Sequence, residues 1–512
     1  MNRVLSLLAI AIVVGACGDK VKKAPVEAGD WTENAVIYEM NIRQATSEGT
    51  LTAAEAKLPE LKELGVDIVW LMPLYPIGEK GRKGTLGSYY AIKDYCDVNP
   101  EFGTLKDFDH FVEVAHDQGL KIIIDWVANH TSPDHSWVTG KPAEWYVRDA
   151  EGNTIVEYDW TDIAKLNYGC ADVRSEMEKC MRFWLDRGID GFRCDVAYQV
   201  PQDFWTDVFA KFRNEYSRRL FFLAEGEEPW LNEAGFDCTY AWRLHHLLND
   251  VAQGKANADS LVKYIEWNKQ EYGSTHRMMF TSNHDENSWS GSEFERMGDA
   301  WKAMAVLCWT LPNAQPLMYT GQEVGYDHRF EFFERDPMPD WHHNAVTDFY
   351  MYLNDLRHTH PALGSDNSSF ELVSKTDTSI CFKRTSGDDA VKVDVLLKAP
   401  WTWSVETADS RVARVEPPCW WTGMKTELQL MINGEDISSW NVSIDGAGLK
   451  VTDVHKADSP NYLFVDVAVS PSVKPGTYDL VFTKGGESFR KPYVISAREK
   501  GSAERTSFTT SD

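Results

Sequence analysis

Four short segments of the 512-residue chain carry carboxylates and imidazoles that could act together. They are Asp125-Trp126-Val127-Ala128-Asn129-His130, Gly191-Phe192-Arg193-Cys194-Asp195, Phe221-Phe222-Leu223-Ala224-Glu225 and Asn283-His284-Asp285. The first three run through or follow apolar stretches of the kind that form buried strands, and the fourth closes a strand-like stretch from Met278. Alternation along a strand turns Arg193 and Asp195 to the same side. The guanidinium there favours an ionised Asp195, which suits a nucleophile. Glu225 follows four apolar residues, so desolvation would keep it protonated for acid work. Asp285 would place a further negative charge near a developing oxocarbenium ion. Each piece has a bland reading as well: Arg193 and Asp195 as a buried ion pair, Asn283-His284-Asp285 as a capped turn. Their joint position at the ends of successive strands is what argues for chemistry.

The elements that must hold these residues alternate. Strand-like runs begin near Val36, Asp67, Lys121, Ile189, Leu220, Phe236, Met278 and Pro316. Helical spacing lies between them, as in Leu51 to Leu64, which ends at Gly65, and Leu105 to Gln118, which ends at Gly119. Strands alternating with helices imply parallel βαβ units. Eight units over residues 31–361 fit an α/β (β/α)8 TIM barrel, whose functional residues sit at the C-terminal ends of its strands. A long segment between the third strand and the helix near Asp172, rich in Trp, Asp, Asn and Gly, predicts a short domain B at about 131–168, standing over the barrel mouth. After Pro361 the texture becomes short and alternating. It predicts a shortened β-domain at 362–403, an immunoglobulin-like β-sandwich at 404–498 and a flexible tail at 499–512.

A formal net charge of −26 argues against nucleic acid, whose phosphates need a basic patch. The 20 Trp, 20 Tyr and 23 Phe suit stacking on sugar faces, although large barrels also bury many aromatics. At the N-terminus, Met1-Asn2-Arg3, an apolar run from Leu5 to Val14 and then Val14-Gly15-Ala16-Cys17 look like a bacterial lipoprotein signal. Residues 1–17 would be the signal, Cys17 the lipid-bearing residue and 18–30 a tether, giving an exported lipoprotein anchored to a cell-envelope membrane. The simpler alternative is a secretory signal with a chance cysteine. The other cysteines (96, 170, 180, 194, 238, 308, 381 and 419) show no C-x-x-C pairing and no zinc spacing, and are expected mostly as buried free thiols. The pairs His245-His246 and His342-His343 are not expected to bind metal, since adjacent side chains point apart. The sequon Asn441-Val442-Ser443 would be idle in a bacterial lipoprotein.

The four segments resemble the four motifs of the α-amylase family of glycoside hydrolases, family 13. The resemblance extends to Ser88-Tyr89-Tyr90-Ala91-Ile92-Lys93-Asp94-Tyr95, to Val98-Asn99-Pro100-Glu101-Phe102-Gly103-Thr104 and to Leu166-Asn167, and covers residues 31–361. It implies Asp195 as nucleophile, Glu225 as general acid/base and Asp285 as third acid, with retention through a glucosyl-enzyme. It further implies that Arg193 fixes the nucleophile, that His130 and His284 bind the sugar before the cleaved bond and that Tyr90 stacks under it. Asp125 matches a structural acid. The implied substrate is an α-glucan, with no cofactor required. Asn129 matches a residue that binds calcium in many members. The chain departs from the pattern after the nucleophile, where Val196-Ala197-Tyr198 replaces a usual Lys-His pair; that removes a substrate contact and weakens the calcium inference.

The stretch Arg414-Val415-Glu416-Pro417-Pro418-Cys419-Trp420-Trp421-Thr422-Gly423-Met424 resembles the start of the N-terminal β-sandwich of cyclomaltodextrinases and neopullulanases. There the module precedes a barrel; here it follows one, as if a second catalytic unit were missing beyond residue 512. Trp401, Trp403, Trp420 and Trp421 are expected to fill the sandwich core and its junction rather than form a sugar platform. Two other functions compete with hydrolysis. A transglycosylase or glucosyltransferase would use the same residues. A non-enzymatic glucan-binding lipoprotein would be expected to have lost one of the three acids, and all three are present.

Overall fold

The computed structural model describes residues 30–339, 342–364, 368–387, 389–407, 412, 414–446, 448–485 and 487–497. The expected signal, Cys17, most of the tether and the tail lie outside the described residues.

Eight parallel strands close into a barrel. They are β1 (Ile37–Met40), β2 (Ile68–Leu71), β3 (Lys121–Trp126), β4 (Gly191–Cys194), β5 (Phe221–Ala224), β6 (Cys238–Tyr240), β7 (His276–Met279) and β8 (Ala314–Tyr319). Closure is made by β1 against β8, with Ile37 opposite Leu317. Ile37, Ile68, Trp70, Ile123, Phe221, Leu223, Met278 and Leu317 belong to one buried cluster drawn from the strands. The strands therefore read as continuous apolar runs, as parallel sheets covered on both faces must. At Gly191 the fold leaves no choice of residue, because a Cβ there would lie 1.8 Å from the carbonyl oxygen of Phe221.

Local signals set the ends of the helices. Thr104 and Asp107 cap the helix Leu105–Asp117 reciprocally, each side chain taking the other's backbone N–H. Gly65, in the left-handed region at φ 88°, stops Leu58–Leu64. The expected single helix from 51 to 64 is two, Leu51–Glu55 and Leu58–Leu64, with Ala56 closing the first turn. Between β3 and the helix Ala171–Asp186, His130–Thr131 pairs antiparallel with Ala164–Lys165, enclosing the helix Ser136–Gly140 and a turn at Ala143–Trp145.

The chain divides into two compact units. The first, from Met1–His246, Glu271–Glu295 and Gln315–Asp355, holds the candidate site. The second consists of Leu247–Gln270, Arg296–Ala314 and Leu356–Asp512. Within the second, β9 (Ser369–Thr376), β10 (Ser379–Ser386), β11 (Asp389–Leu396) and β12 (Trp403–Thr407) make one antiparallel sheet. Arg384 of β10 donates to the Thr310 carbonyl of the helix Trp301–Thr310. Trp403–Thr407 pairs with β11, from Val395 opposite Trp403 to Val391 opposite Thr407. The expected boundary at 403/404 thus cuts a strand. Alternation in 403–407 fits either sheet, and only the pairing decides.

The remaining strands form two four-stranded sheets. One contains Arg414–Glu416, Glu427–Asn433, Leu449–Lys456 and Tyr462–Val469; the other contains Cys419–Trp421, Asn441–Asp445, Gly476–Lys484 and Glu487–Ser496. Leu430, Ile432 and Val465 of the first meet Leu480, Phe482 and Ile495 of the second in one core, so the module is a sandwich. Trp420 packs against that core.

Candidate active site

Arg193 organises the mouth of the barrel. Its side chain is fully buried, with three carboxylates around it: Nη1 lies 3.0 Å from Asp125 Oδ1 and 3.2 Å from Asp195 Oδ1, and Nη2 lies 2.9 Å from Glu225 Oε2. Nε donates to the Tyr240 hydroxyl at 3.1 Å. A buried guanidinium needs such a set of acceptors. Asp195 and Glu225 come one residue after β4 and β5, so their backbones leave adjacent strands side by side. Glu225 N donates to the Cys194 carbonyl and Ala197 N to the Glu225 carbonyl, both at 3.0 Å. Between these backbone ties the Asp195 and Glu225 carboxylates face each other across the Arg193 guanidinium.

Two such carboxyls cannot both ionise freely. Burial and the facing Glu225 push Asp195 well above the usual carboxylate range. Burial also acts on Glu225, but Arg193 and the Val196 N–H, which donates to Oε2 at 2.8 Å, outweigh it and hold Glu225 low. The two carboxyls are therefore pushed apart, Asp195 upward and Glu225 downward. This reverses the order expected from sequence. The cause is that Arg193 sends one nitrogen to each acid, while only Glu225 receives the extra backbone donor.

Asp125 closes the floor. It accepts from Trp70 Nε1 at 3.2 Å and from the Tyr90 hydroxyl at 3.1 Å. Burial raises it to about 6 against the pull of Arg193. Tyr90 stacks on His284, ring centroids 5.5 Å apart, and its hydroxyl lies 2.8 Å from His284 Nε2. His284 Nδ1 faces Glu39 at 2.5 Å. Burial alone would lower His284, yet Asp285 and Glu39 hold it up at about 9. Asp285, 3.4 Å from His284 Nε2, has the most open carboxyl of the three acids. It lies beyond the end of β7 at Met279, in an unpaired stretch that leads into a π-helical turn, Glu286–Ser290, rather than on the strand. Across the mouth, burial pushes His130 down to about 4, leaving it neutral. Its Nε2 is buried with no hydrogen-bonding partner, as suits a group that awaits a ligand hydroxyl.

The structure thus brings Tyr90, Asp125, Arg193, Asp195, Glu225, His284 and Asp285 into one connected group and places His130 on the domain B side. Sequence reasoning missed Glu39, although a lone acid inside Val36-Ile37-Tyr38-Glu39-Met40 was a signal. It also missed Glu157, in a loop without periodicity, and Lys165, in a strand of only two residues.

Asn129 does not fit calcium. It aims its amide nitrogen at Glu157 Oε2, at 2.8 Å, and Glu157 is also ion-paired with the Lys165 ammonium. A cation ligand set would need oxygens there, and no lysine. Among the described residues, no group of three or more His, Cys, Asp or Glu side chains could hold a metal ion.

A closed barrel with acids, an arginine and histidines gathered at its strand ends has the arrangement of a TIM-barrel enzyme, whose chemistry sits at that face. The α-amylase catalytic domain family matches residues 29–144 and 139–368, and the cyclomaltodextrinase N-terminal family matches 414–499. The chain belongs to the α-amylase family of glycoside hydrolases. It is 30% identical to the α-amylase MalA of Haloarcula japonica over 72% of this chain, and spans 56% of that protein's length. The crystal structure of an α-amylase from Lactobacillus plantarum superposes with a TM-score of 0.66 at 27% identity, covering 86% of this chain and 99% of the other. A maltogenic α-amylase, AmyB, from Thermotoga neapolitana shares the fold at 24% identity, with a TM-score of 0.66 over 90% of this chain and 99% of that one.

Proposed function

We propose that the protein is a retaining glycoside hydrolase that cleaves α-glucosidic bonds, chiefly α-1,4, in starch, maltodextrin or cyclodextrin, in carbohydrate catabolism. One observation carries this reading: Asp195 and Glu225 leave adjacent strand ends and sit on the two terminal nitrogens of one buried guanidinium, 3.2 Å and 2.9 Å from Arg193 Nη1 and Nη2. Carboxyls that share one guanidinium stand side by side, which favours the retaining spacing of about 5–5.5 Å over the about 6.5–9.5 Å that an inverting enzyme leaves for water.

The roles follow from the contacts. A glucosyl ring stacked on Tyr90 presents its hydroxyls to His130 and His284 and its anomeric carbon to Asp195. The glycosidic oxygen enters between the two acids. Protonated Glu225 gives its proton to the leaving oxygen while ionised Asp195 forms the ester. Arg193 stays in contact with both acids and balances their charge in either state. Asp285, next to cationic His284, faces the positive charge that develops on the ring. Water, deprotonated by Glu225, then cleaves the ester.

Asp195→Asn should lower turnover of maltooligosaccharides by several orders of magnitude while leaving binding largely intact. Early-time NMR of the unmodified protein should show the α-anomer first. Near-normal turnover in the variant, or a β-anomer, would remove this reading. Formation of longer oligosaccharides instead of reducing sugar would favour the transferase. From Val14-Gly15-Ala16-Cys17 we further propose a lipid-anchored exported protein, so Cys17→Ser should leave the membrane fraction.

A further inference from the structure

After β2 the chain makes a loop, Gly78 to Gly87, for which the catalytic steps have no use. It leads directly into the segment that carries Tyr90. Its two ends are close, since a Cβ on Gly87 would lie 2.8 Å from Ile77 Cγ2. Arg82 folds the loop back on its own base, with Nε donating to the Gly78 carbonyl at 3.0 Å and Nη2 to the Ile77 carbonyl at 3.1 Å. Compact surface loops with close ends and packing of their own are frequently functional.

The loop is clamped on both flanks. Toward domain B, Lys83 Nζ donates to the Asp159 carbonyl at 2.9 Å and lies 3.7 Å from Asp162 Oδ1. The Glu79 N–H donates to Asp134 Oδ2 at 3.0 Å. Gly78 permits this approach, because a Cβ there would lie 2.3 Å from Ser132 Cβ. Toward the loop after β8, the Leu86 N–H donates to the Phe333 carbonyl at 3.0 Å and the Thr85 N–H to Glu334 Oε1 at 2.7 Å. A Cβ on Gly84 would lie 2.5 Å from Phe333 Cβ, so the two loops touch at backbone level. Gln44 Nε2 holds the second loop in turn, donating to the Glu331 and Glu334 carbonyls at 3.2 Å and 2.9 Å.

The joint at Phe333 stands beside the sugar site. Phe332, next in chain, packs nearly parallel on Tyr90 with ring centroids 6.4 Å apart, and lies equally far from His284. Trp289, in the turn after Asp285, packs on Phe332 and Phe333 at 5.3 Å and 5.7 Å. Arg43 Nη1 donates to the carbonyls of Gly87 and Phe332 at 3.2 Å and 3.4 Å, which locks the base of the loop to this wall of rings. Order around the barrel gives the direction. Glu225 follows β5, and β1 stands opposite β5 in a ring of eight strands. The loop, wedged between domain B after β3 and the loop after β8, fills the sector of β1 and β2. It therefore lies across the mouth from Glu225.

We propose that Gly78–Gly87 walls off the non-reducing side of the site, so that the enzyme takes the end of a glucan chain, removes short units from it and passes over internal bonds. The proposal rests on the reading of Glu225 as general acid. That acid faces the leaving oxygen on C1 of the bound ring, and C4 lies across a pyranose from C1. A chain continuing from O4 runs away from Glu225, toward Phe332 and the loop joined behind it. Moving the loop aside would break its bonds to Asp159, Phe333 and Glu334 together. A cyclodextrin has no chain end, so the wall disfavours it against linear maltodextrins.

The test uses maltoheptaose labelled at its reducing end, with and without an ethylidene block on the terminal non-reducing ring. The unblocked chain should shorten from its non-reducing end only. The blocked chain and β-cyclodextrin should show kcat/KM lower by about a hundredfold or more. The close ends of the loop allow Gly-Gly to replace Glu79–Leu86. That variant should cut the blocked chain internally and raise the blocked-to-unblocked ratio of kcat/KM about tenfold or more. Its turnover of the unblocked chain shows that it is folded. Lys83→Ala/Glu334→Ala, which loosens both flanks without shortening the loop, should move the ratio in the same direction by less. Equal turnover of blocked and unblocked chains by the unmodified protein would overturn the wall and leave the hydrolase reading intact. A ratio unchanged in both variants would overturn the role of this loop. An unmodified protein that turns over neither chain would overturn the hydrolase reading and the wall with it.

Discussion

Glu39 Oε1 stands 2.5 Å from His284 Nδ1, and both side chains are shut away from solvent. Burial pushes the Glu39 carboxyl up and His284 draws it back. At this separation the two make a buried imidazolium–carboxylate pair, with a second contact from the His284 backbone N–H to Glu39 Oε2 at 3.3 Å. The pair fixes the ring that stacks on Tyr90 and keeps Nε2 supplied with a proton for a sugar hydroxyl.

Glu39→Gln should break that arrangement without changing shape. The imidazole should titrate well below its present value of about 9, and an alkaline limb of kcat/KM set by His284 should move to lower pH with it. For stability the sign is that of a raised cation. The contribution of His284 is fully present below about 6.5, the ordinary value, and is lost as pH rises through about 9. Thermal unfolding measured from pH 6 to 10 should show this loss in the wild type and much less of it in Glu39→Gln. NMR of the His284 ring gives the same answer directly; an unmoved titration would show that Asp285 alone sustains it.

The placing of the two acids on one arginine makes a second expectation. Ionised Asp195 is needed for attack, and burial together with Glu225 pushes its carboxyl above the usual range. The acid limb of the first step should therefore lie above ordinary carboxylate values. Glu225→Gln removes the facing charge, so the limb should shift to lower pH. A glycosyl fluoride needs no acid to leave, and its burst of fluoride release isolates that step. A limb that stays in place would mean that burial, not Glu225, sets the value.

Lys165 occupies the position where a cation would otherwise neutralise Glu157. Chelation should leave thermal stability and turnover unchanged. Lys165→Ala should cost about 1–3 kcal/mol, the range between exposed and buried pairs, since both side chains are mostly covered. Calcium titrated into the wild type should give no binding heat; a fall in melting temperature with chelator would reinstate the metal.

What the sequence showed and withheld has physical reasons. Arg193, Asp195 and Glu225 were legible because strand period and strand ends fix their direction before any tertiary contact forms. His284 and Asp285 were legible as a motif, though not as strand residues, because β7 stops at Met279 and pattern alone cannot say where pairing ends. The proton order of Asp195 and Glu225 was not legible. It depends on one Arg193 nitrogen and one backbone N–H from Val196, and both are set by three-dimensional geometry. Glu157 and Lys165 gave no signal, because an irregular loop and a two-residue strand have no repeat from which to predict a face.

The placement of Trp403–Thr407 bears on how much of the C-terminal region the chemistry needs. All three acids lie between residues 195 and 285, inside the first compact unit, whereas the sandwich belongs to the second. Nothing in the sandwich offers a carboxylate at a barrel strand end. A chain ending at Asp409 retains the whole sheet from Ser369 to Thr407 and should keep its turnover on short maltodextrins per folded molecule. A chain ending at Thr402 loses the β12 edge strand and exposes the backbone of Val391–Val395, all of whose pairing on that side is with β12. An uncovered strand of this kind invites pairing with other chains, so the shorter protein should aggregate. Circular dichroism with light scattering separates the two cases, and turnover is then normalised to the soluble, folded fraction. A soluble, folded chain ending at Asp409 that turns over nothing would show that the sandwich completes the active site. Equal solubility of the two truncations would show that the edge strand protects nothing.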